Sequence, residues 1–257
     1  MQLKKFKIIN TMDSLHTVLL VGSSFFTSII SATVGMAGGT VLLSIMLLFL
    51  QPSVVIPLHA GNQLISNFSR CWLLRDHIKW KFFTPFAVAS VFGNIFAAIL
   101  IKDTLDLAHG TIFIALMILY SVFKPAKLPT FTPKGKGFFA IGLFIGFLGM
   151  FIGATGLILG MAFVRDDLNK EEILATQGSM QTLNHLLKIL GFLWLGFNYV
   201  PWLFPLGLMM LASIIGTNYG VSLLKNIPDN IFKLIFKTIL VISAIQLLIK
   251  WAIKILG

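Results

Sequence analysis

Apolar stretches long enough to cross a lipid bilayer recur along this chain, separated by short gaps, and that pattern excludes most soluble folds. A spanning helix needs about 20 apolar residues, at about 1.5 Å of rise each across a hydrocarbon core of about 30 Å. Eight stretches answer to this: residues 15 to 50, 57 to 74, 82 to 101, 107 to 123, 137 to 163, 173 to 196, 202 to 223 and 231 to 255. Charged residues make up only 11% of the chain, against about 25% in a soluble domain. The expected fold is therefore all-α, a polytopic transmembrane helical bundle in which residues 1 to 257 form one membrane domain.

The net charge of +11 does not imply nucleic acid, which is bound by a basic patch on an otherwise polar surface. Here the bases sit in the gaps: Lys4, Lys5 and Lys7 before the first stretch, Arg75, Lys79 and Lys81 in one gap, Lys124, Lys127, Lys134 and Lys136 in another. This is a positive-inside bias, and it points to a multi-pass protein of the plasma membrane whose partners are the lipid bilayer and a small solute. The same bias puts the N-terminus and the gaps at 75 to 81 and 124 to 136 inside, an even number of crossings for the first half. An inverted repeat requires an odd number, so the topology stays open. Cys71 is alone, which rules out an intramolecular disulfide. The first stretch continues past Gly35 without a small-residue cleavage site and is expected to be retained in the membrane. Oligomeric state is unreadable.

Two stretches are too long for one ordinary span, and both are interrupted by glycine: Gly35-Met-Ala-Gly38-Gly39 in the first and Gly153-Ala-Thr-Gly156 in the fifth. Each is a candidate broken helix or re-entrant hairpin, because glycine loosens a helix and permits close backbone approach. Sliding the chain by 118 residues lays Gly35 on Gly153 and Gly38 on Gly156. The same shift lays His59, Gln63, Ser66 and Arg70 on Gln177, Gln181, Asn184 and Lys188. Each set forms one polar stripe at helical spacing, ending in a base. Further on the register becomes 123, and Ala89-Ser90-Val-Phe-Gly93 lies over Ala212-Ser213-Ile-Ile-Gly216. The expectation is two four-segment repeats, about 15 to 123 and about 137 to 255. Chance matching within a restricted membrane alphabet is the bland alternative, and the polar spacing argues against it.

Intramembrane polar and ionisable side chains are expensive and mark a pathway by default. All nine acids (Asp13, Asp76, Asp103, Asp106, Asp166, Asp167, Glu171, Glu172 and Asp229) fall at segment ends or in loops, so no carboxylate remains inside to serve a cation or a proton relay. Bases without acids suit an anion. Arg70 and Lys188 offer charge, and Asn62, Gln63, Asn67, Gln181 and Asn184 offer hydrogen bonds. The helices restarting after Gly39 and Gly156 would add N–H groups, and Thr40 and Thr155 hydroxyls. Snorkelling of Arg70 to the interface, and glycines that serve packing alone, are the structural alternatives. His59 and His185 lie by the stripe, where an imidazole can couple transport to protons. No metal-ligand spacing occurs and no cofactor is expected. Nor is an enzyme, since there is no buried Ser/His pair, aspartate pair or aspartate cluster. An anion channel and a non-transporting assembly subunit remain as rivals.

A glycine-broken first segment, a polar second helix and a repeat of both after a basic midpoint resemble the sulfite exporter TauE/SafE family of membrane transporters. The resemblance rests on Gly35-Met-Ala-Gly38-Gly39 with Ala60-Gly61-Asn62, and on Gly153-Ala-Thr-Gly156 with Ala175-Thr176-Gln177. Leu157 stands where a counterpart of Gly39 would be. The resemblance implies seven or eight membrane segments in two repeats, and movement of sulfite, sulfonates or related organosulfur anions.

Overall fold

The computed structural model describes residues 14–35, 37–100, 133–151 and 155–256. The stretch at 107 to 123 and Gly153 lie outside the described residues. Among those described there are nine α-helices and no strand: α1 (Ser14–Val34), α2 (Ala37–Phe49), α3 (Pro52–Leu73), α4 (Trp80–Leu100), α5 (Gly137–Gly149), α6 (Gly156–Met161), α7 (Lys170–Trp194), α8 (Leu203–Leu224) and α9 (Asp229–Leu256). Three helical stretches, Ser14–Val34, Trp80–Leu100 and Val200–Leu224, are long and apolar enough to cross a membrane. The helices α3 and α7 are as long but carry the polar stripes.

Both long stretches are broken, and both fold back. Gly35 takes a left-handed φ of 97°, a conformation glycine adopts freely, and its N–H bonds the Ser31 carbonyl at 2.8 Å to close α1. The chain then reverses, so that Phe49 at the end of α2 meets His16 at the start of α1, ring centroids 5.0 Å apart. Gly38 makes the return possible, since a Cβ there would overlap the Thr27 carbonyl of α1. In the second stretch Phe163 meets Phe138 with centroids 5.7 Å apart. The chain beyond α6 has thus come back to the level at which α5 began.

Ring pairs and glycine contacts also give the directions of the remaining helices. The two polar helices α3 and α7 cross the middle antiparallel: His59 meets His185 at one end, and Gly178 faces the Asn67 carbonyl and the Cys71 N–H at the other. The pair α4 and α5 runs parallel, with Phe82 stacked on Phe138 at 4.7 Å, Gly142 over Phe86 and Gly146 over Ser90. The pair α1 and α8 also runs parallel, with Gly216 over Phe25 and Gly220 over Ile29. Glycine allows this backbone-to-backbone approach, as is usual between membrane helices.

Apolar side chains exposed on the outside of the bundle, such as Phe92, Phe96 and Ile99 on α4 and Phe204, Leu211 and Ile215 on α8, suit a lipid surround. Charge collects at the end of the bundle where α3 gives way to α4. Arg75, Lys79, Lys81, Lys134, Lys136, Arg165 and Lys170 are there, with Trp72 under the Arg75 guanidinium at 5.2 Å. The links at the opposite end, residues 50 to 51 and 195 to 202, carry no charge.

The start of α1 packs beside Leu58 near the start of α3, whereas the 75 to 81 gap follows the end of α3. Ser14 and Arg75 are therefore at opposite ends of the bundle, whereas the positions of the bases alone put the N-terminus and that gap on one side.

At the charged end α7 begins with a capping box: Asn169 Oδ1 accepts from the Glu172 N–H at 2.8 Å, and Glu172 Oε2 accepts from the Asn169 N–H at 3.0 Å. Glu172 also pairs with Lys79, and the Thr176 hydroxyl accepts from the Lys79 N–H at 2.9 Å. Asn169→Ala is expected to cost about 1 kcal/mol, read as a lower thermal midpoint of the detergent-solubilised protein with no change in solute specificity.

Candidate functional site

The ends of α1, the start of α2, the start of α6 and the facing sides of α3 and α7 enclose one small cavity near the middle of the bundle. Its volume is about 20 Å³, counted over positions open to the centre of a water molecule, about the room one water needs.

The first half contributes Ser31, Gly35, Gly39, Thr40, His59, Gln63, Asn67 and Arg70 to the lining. The second contributes Thr155, Gly156, Gln177, Gln181 and His185. Twelve residues singled out in the sequence thus meet in one place, joined by Ser31. Ser31 was missed; its signal was its position one helical turn before Gly35, where its side chain and carbonyl reach the break.

Arg70 is only 2% exposed and does not snorkel. One of its terminal nitrogens donates to the carbonyls of Ser31 and, at 3.1 Å, of Gly35, and the other to Asn67 Oδ1 at 2.6 Å. It therefore holds the carbonyl end of α1, where a cation is favoured by the helix dipole. Its Nε has no protein partner. Asn67 is held in turn, its Nδ2 donating to the Gln63 carbonyl at 2.7 Å.

His59 Nε2 donates to the Gly39 carbonyl at 2.8 Å. That bond assigns the proton to Nε2 and leaves Nδ1, buried and without a partner, as a lone pair. The rings of His59 and His185 are edge to face, 5.9 Å between centroids, and His185 Nδ1 is likewise buried without a partner. The Thr40 hydroxyl and both polar atoms of the Gln181 amide are in the same condition. Buried polar atoms are normally bonded, so this concentration around one cavity marks a place built to receive a polar guest.

Five sequence-predicted residues do other work. Gly38 lets α2 return along α1. The Asn62 amide oxygen accepts from the Ser213 hydroxyl at 3.0 Å, and Ser66 bonds Ser28 at 3.2 Å and Thr217 at 3.3 Å. These bonds tie α3 to α1 and α8. Asn184 donates to the Thr155 hydroxyl at 3.0 Å and accepts from Asn94 at 3.4 Å. Lys188, fully buried, lies over Gly149 where α5 ends. Thr155 accepts from Asn184 and keeps its own O–H as a donor.

No acid lines the cavity. Among the described residues no three His, Cys, Asp or Glu side chains gather as a metal site. The chemistry on offer is hydrogen bonding to a small polar solute beside a guanidinium.

No curated protein and no solved structure matches the chain. The family model described as sulfite exporter TauE/SafE matches residues 20–247, a stretch that holds both glycine breaks, both polar helices and every residue of the cavity. This is a family of membrane transporters for sulfur anions and not one of enzymes, and on that match the chain belongs to the sulfite exporter TauE/SafE family.

Proposed function

We propose that the protein is a secondary transporter, working as an exporter, of a small sulfur oxyanion such as sulfite or a sulfonate, and that the cavity between α3 and α7 is where the anion binds. The observation that carries this reading is the lining: polar atoms without protein partners from both halves, a guanidinium, and no carboxylate. Thr40 and Gln181 supply donors, Arg70 supplies charge and its Nε donor, and the start of α2 turns Gly39 and Thr40 toward the site.

The reading includes two four-segment repeats of opposite orientation in one domain. Exchange of the halves maps each packing pair onto its counterpart, so that α1 on α8 answers α5 on α4, and α3 on α7 answers itself. It also maps the Ser31 and Arg70 contact onto the Gly149 and Lys188 contact. Parallel packing of α4 with α5 and of α1 with α8, and antiparallel packing of α3 with α7, fit halves that are inverted. Such pairs rock about a central site to expose it to one side and then the other. The charge-rich end would face the cytoplasm of a plasma membrane by the positive-inside rule.

A thermal-shift screen of the purified protein against sulfite, sulfate, methanesulfonate, acetate and chloride tests the site. A sulfur oxyanion is expected to raise the thermal midpoint. Gln181→Leu, which removes two polar atoms that no protein group needs, should weaken that anion about tenfold, roughly 1.4 kcal/mol, and leave the midpoint of the free protein no lower. If none of the anions stabilises the wild type, the reading is wrong. Counterflow in proteoliposomes separates the rivals: a carrier is accelerated by anion on the far side, a channel is not, and an assembly subunit passes no anion at all.

A further inference from the structure

The two histidines in the cavity do not correspond under the repeat. His59 has Gln177 as its counterpart in the second half, and His185 has Asn67 in the first. Each half thus carries an amide where the other carries an imidazole, and the fold brings the two imidazoles together at 5.9 Å. An amide suffices for the donor bond that His59 makes to the Gly39 carbonyl. What the imidazole adds is a second nitrogen, and in both residues Nδ1 is that unused atom, buried with no protein partner beside the cavity.

We infer that the anion binds together with a proton, taken from water onto Nδ1 of the His59 and His185 pair, so that the transported unit is the anion with its proton. The inference rests on the anion-site reading above. Protonation converts a buried, unpartnered nitrogen of a cavity-lining imidazole into an N–H donor and adds one positive charge next to the anion. A buried charge is costly unless paired, so proton and anion each favour the other's binding, by the same factor in both directions.

Among the described residues, the titratable groups that face the pair are few. Facing His59, α3 itself offers Arg70, and α7 offers His185 and Lys188, which follow one another at helical spacing, so Lys188 is the one other base near the imidazoles; α9, packed on α2 and α7, has Asp229, Lys233 and Lys237 in its first half. The helices α2 and α6 contain no titratable residue. That of α1, His16, is at the far end against Phe49, and Tyr219 of α8 is exposed. The Tyr199 hydroxyl, ahead of α8, donates to the Pro57 carbonyl at 3.4 Å. No carboxylate lines the cavity.

The test uses sulfate and methanesulfonate, whose charges do not change between about pH 6 and pH 8, the range in which histidine titrates. Binding to the purified full-length protein is measured across that range, together with proton uptake in weak buffer from a pH-indicator dye. The wild type is expected to take up about one proton per anion bound, and to lose affinity by up to about tenfold for each pH unit of rise. His59→Gln and His185→Asn install the residues of the other half, and the Gln keeps a donor for Gly39. Each should bind with reduced uptake, and the double variant with none and with no dependence on pH. Anion binding without proton uptake in the wild type, or uptake that persists in the double variant, overturns the coupling and leaves the anion site standing. Failure of both anions to bind at any pH overturns the site and the coupling with it.

Discussion

Arg70→Ala is expected to lower the thermal midpoint of the solubilised protein by about 10 °C and to reduce anion flux below detection. The side chain satisfies the carbonyls of Ser31 and Gly35 and the amide oxygen of Asn67, all inside the bundle. Hydrogen bonds to a charged group contribute about 1.5–3 kcal/mol each, so the loss of two or three amounts to about 3–9 kcal/mol, and the lower end is the expectation where water can enter. For a chain of this size each kcal/mol is about 2–4 °C. The Gly35 carbonyl would lose its partner at the point where the chain reverses, the Ser31 carbonyl would keep only the Gly35 N–H, and α2, with Gly39 and Thr40, would lose its fixed position over the cavity. Arg70→Lys should recover only part of the midpoint, because an ammonium is a single point of charge and cannot span two carbonyls and an amide as a planar guanidinium does. An unchanged midpoint in Arg70→Ala would show that the guanidinium serves the solute alone.

Gly93→Leu and Gly216→Leu should be as damaging, and equally so. A Cβ on Gly93 would overlap the Leu143 carbonyl, and one on Gly216 would overlap the Phe25 carbonyl. In each case the obstacle is the neighbouring helix backbone, so the helices have to part. Overpacking a well-filled contact costs about 1–3 kcal/mol, and a whole isobutyl group between two backbones belongs at or above the upper end. The measurement is the fraction of protein that stays monodisperse in size-exclusion chromatography after mild heating. Gly22→Leu and Gly207→Leu are the controls, since a Cβ at either meets nothing within 4 Å. These should stay within about 0.5 kcal/mol of the wild type. If Gly93 proves sensitive and Gly216 tolerant, the two seams are not counterparts and the inverted-repeat proposal loses its support.

Much of the cavity was legible in the sequence because its makers are costly residues in an apolar background. A buried Arg, two His and a stripe of amides cannot hide among Leu and Ile, and the glycine breaks announce where the chain departs from a straight span. Neighbours were not legible. Periodicity says that Asn62, Gln63 and Ser66 share a side of α3, but that side is broad enough to meet α1, α2, α7 and α8. Only packing decides that Gln63 faces the cavity while Asn62 and Ser66 bind α8 and α1. The role of Arg70 was hidden for a related reason: its partners are backbone carbonyls, which carry no letter in the sequence. The return of α2 was similarly masked, because an apolar run reads alike whether it continues or doubles back.

The crossed pairing of α1 with α8 and of α4 with α5 also bears on how such a chain is made. Phe25 meets a residue about 190 positions further along, so the side of α1 that packs on α8 stays uncovered until most of the chain has been synthesised, although α2 and α3 reach Ser28 and Ser31 much earlier. Contacts this distant make assembly slow and leave polar surface waiting in the bilayer. The face of α1 that meets α8 thus depends on a segment made much later in translation.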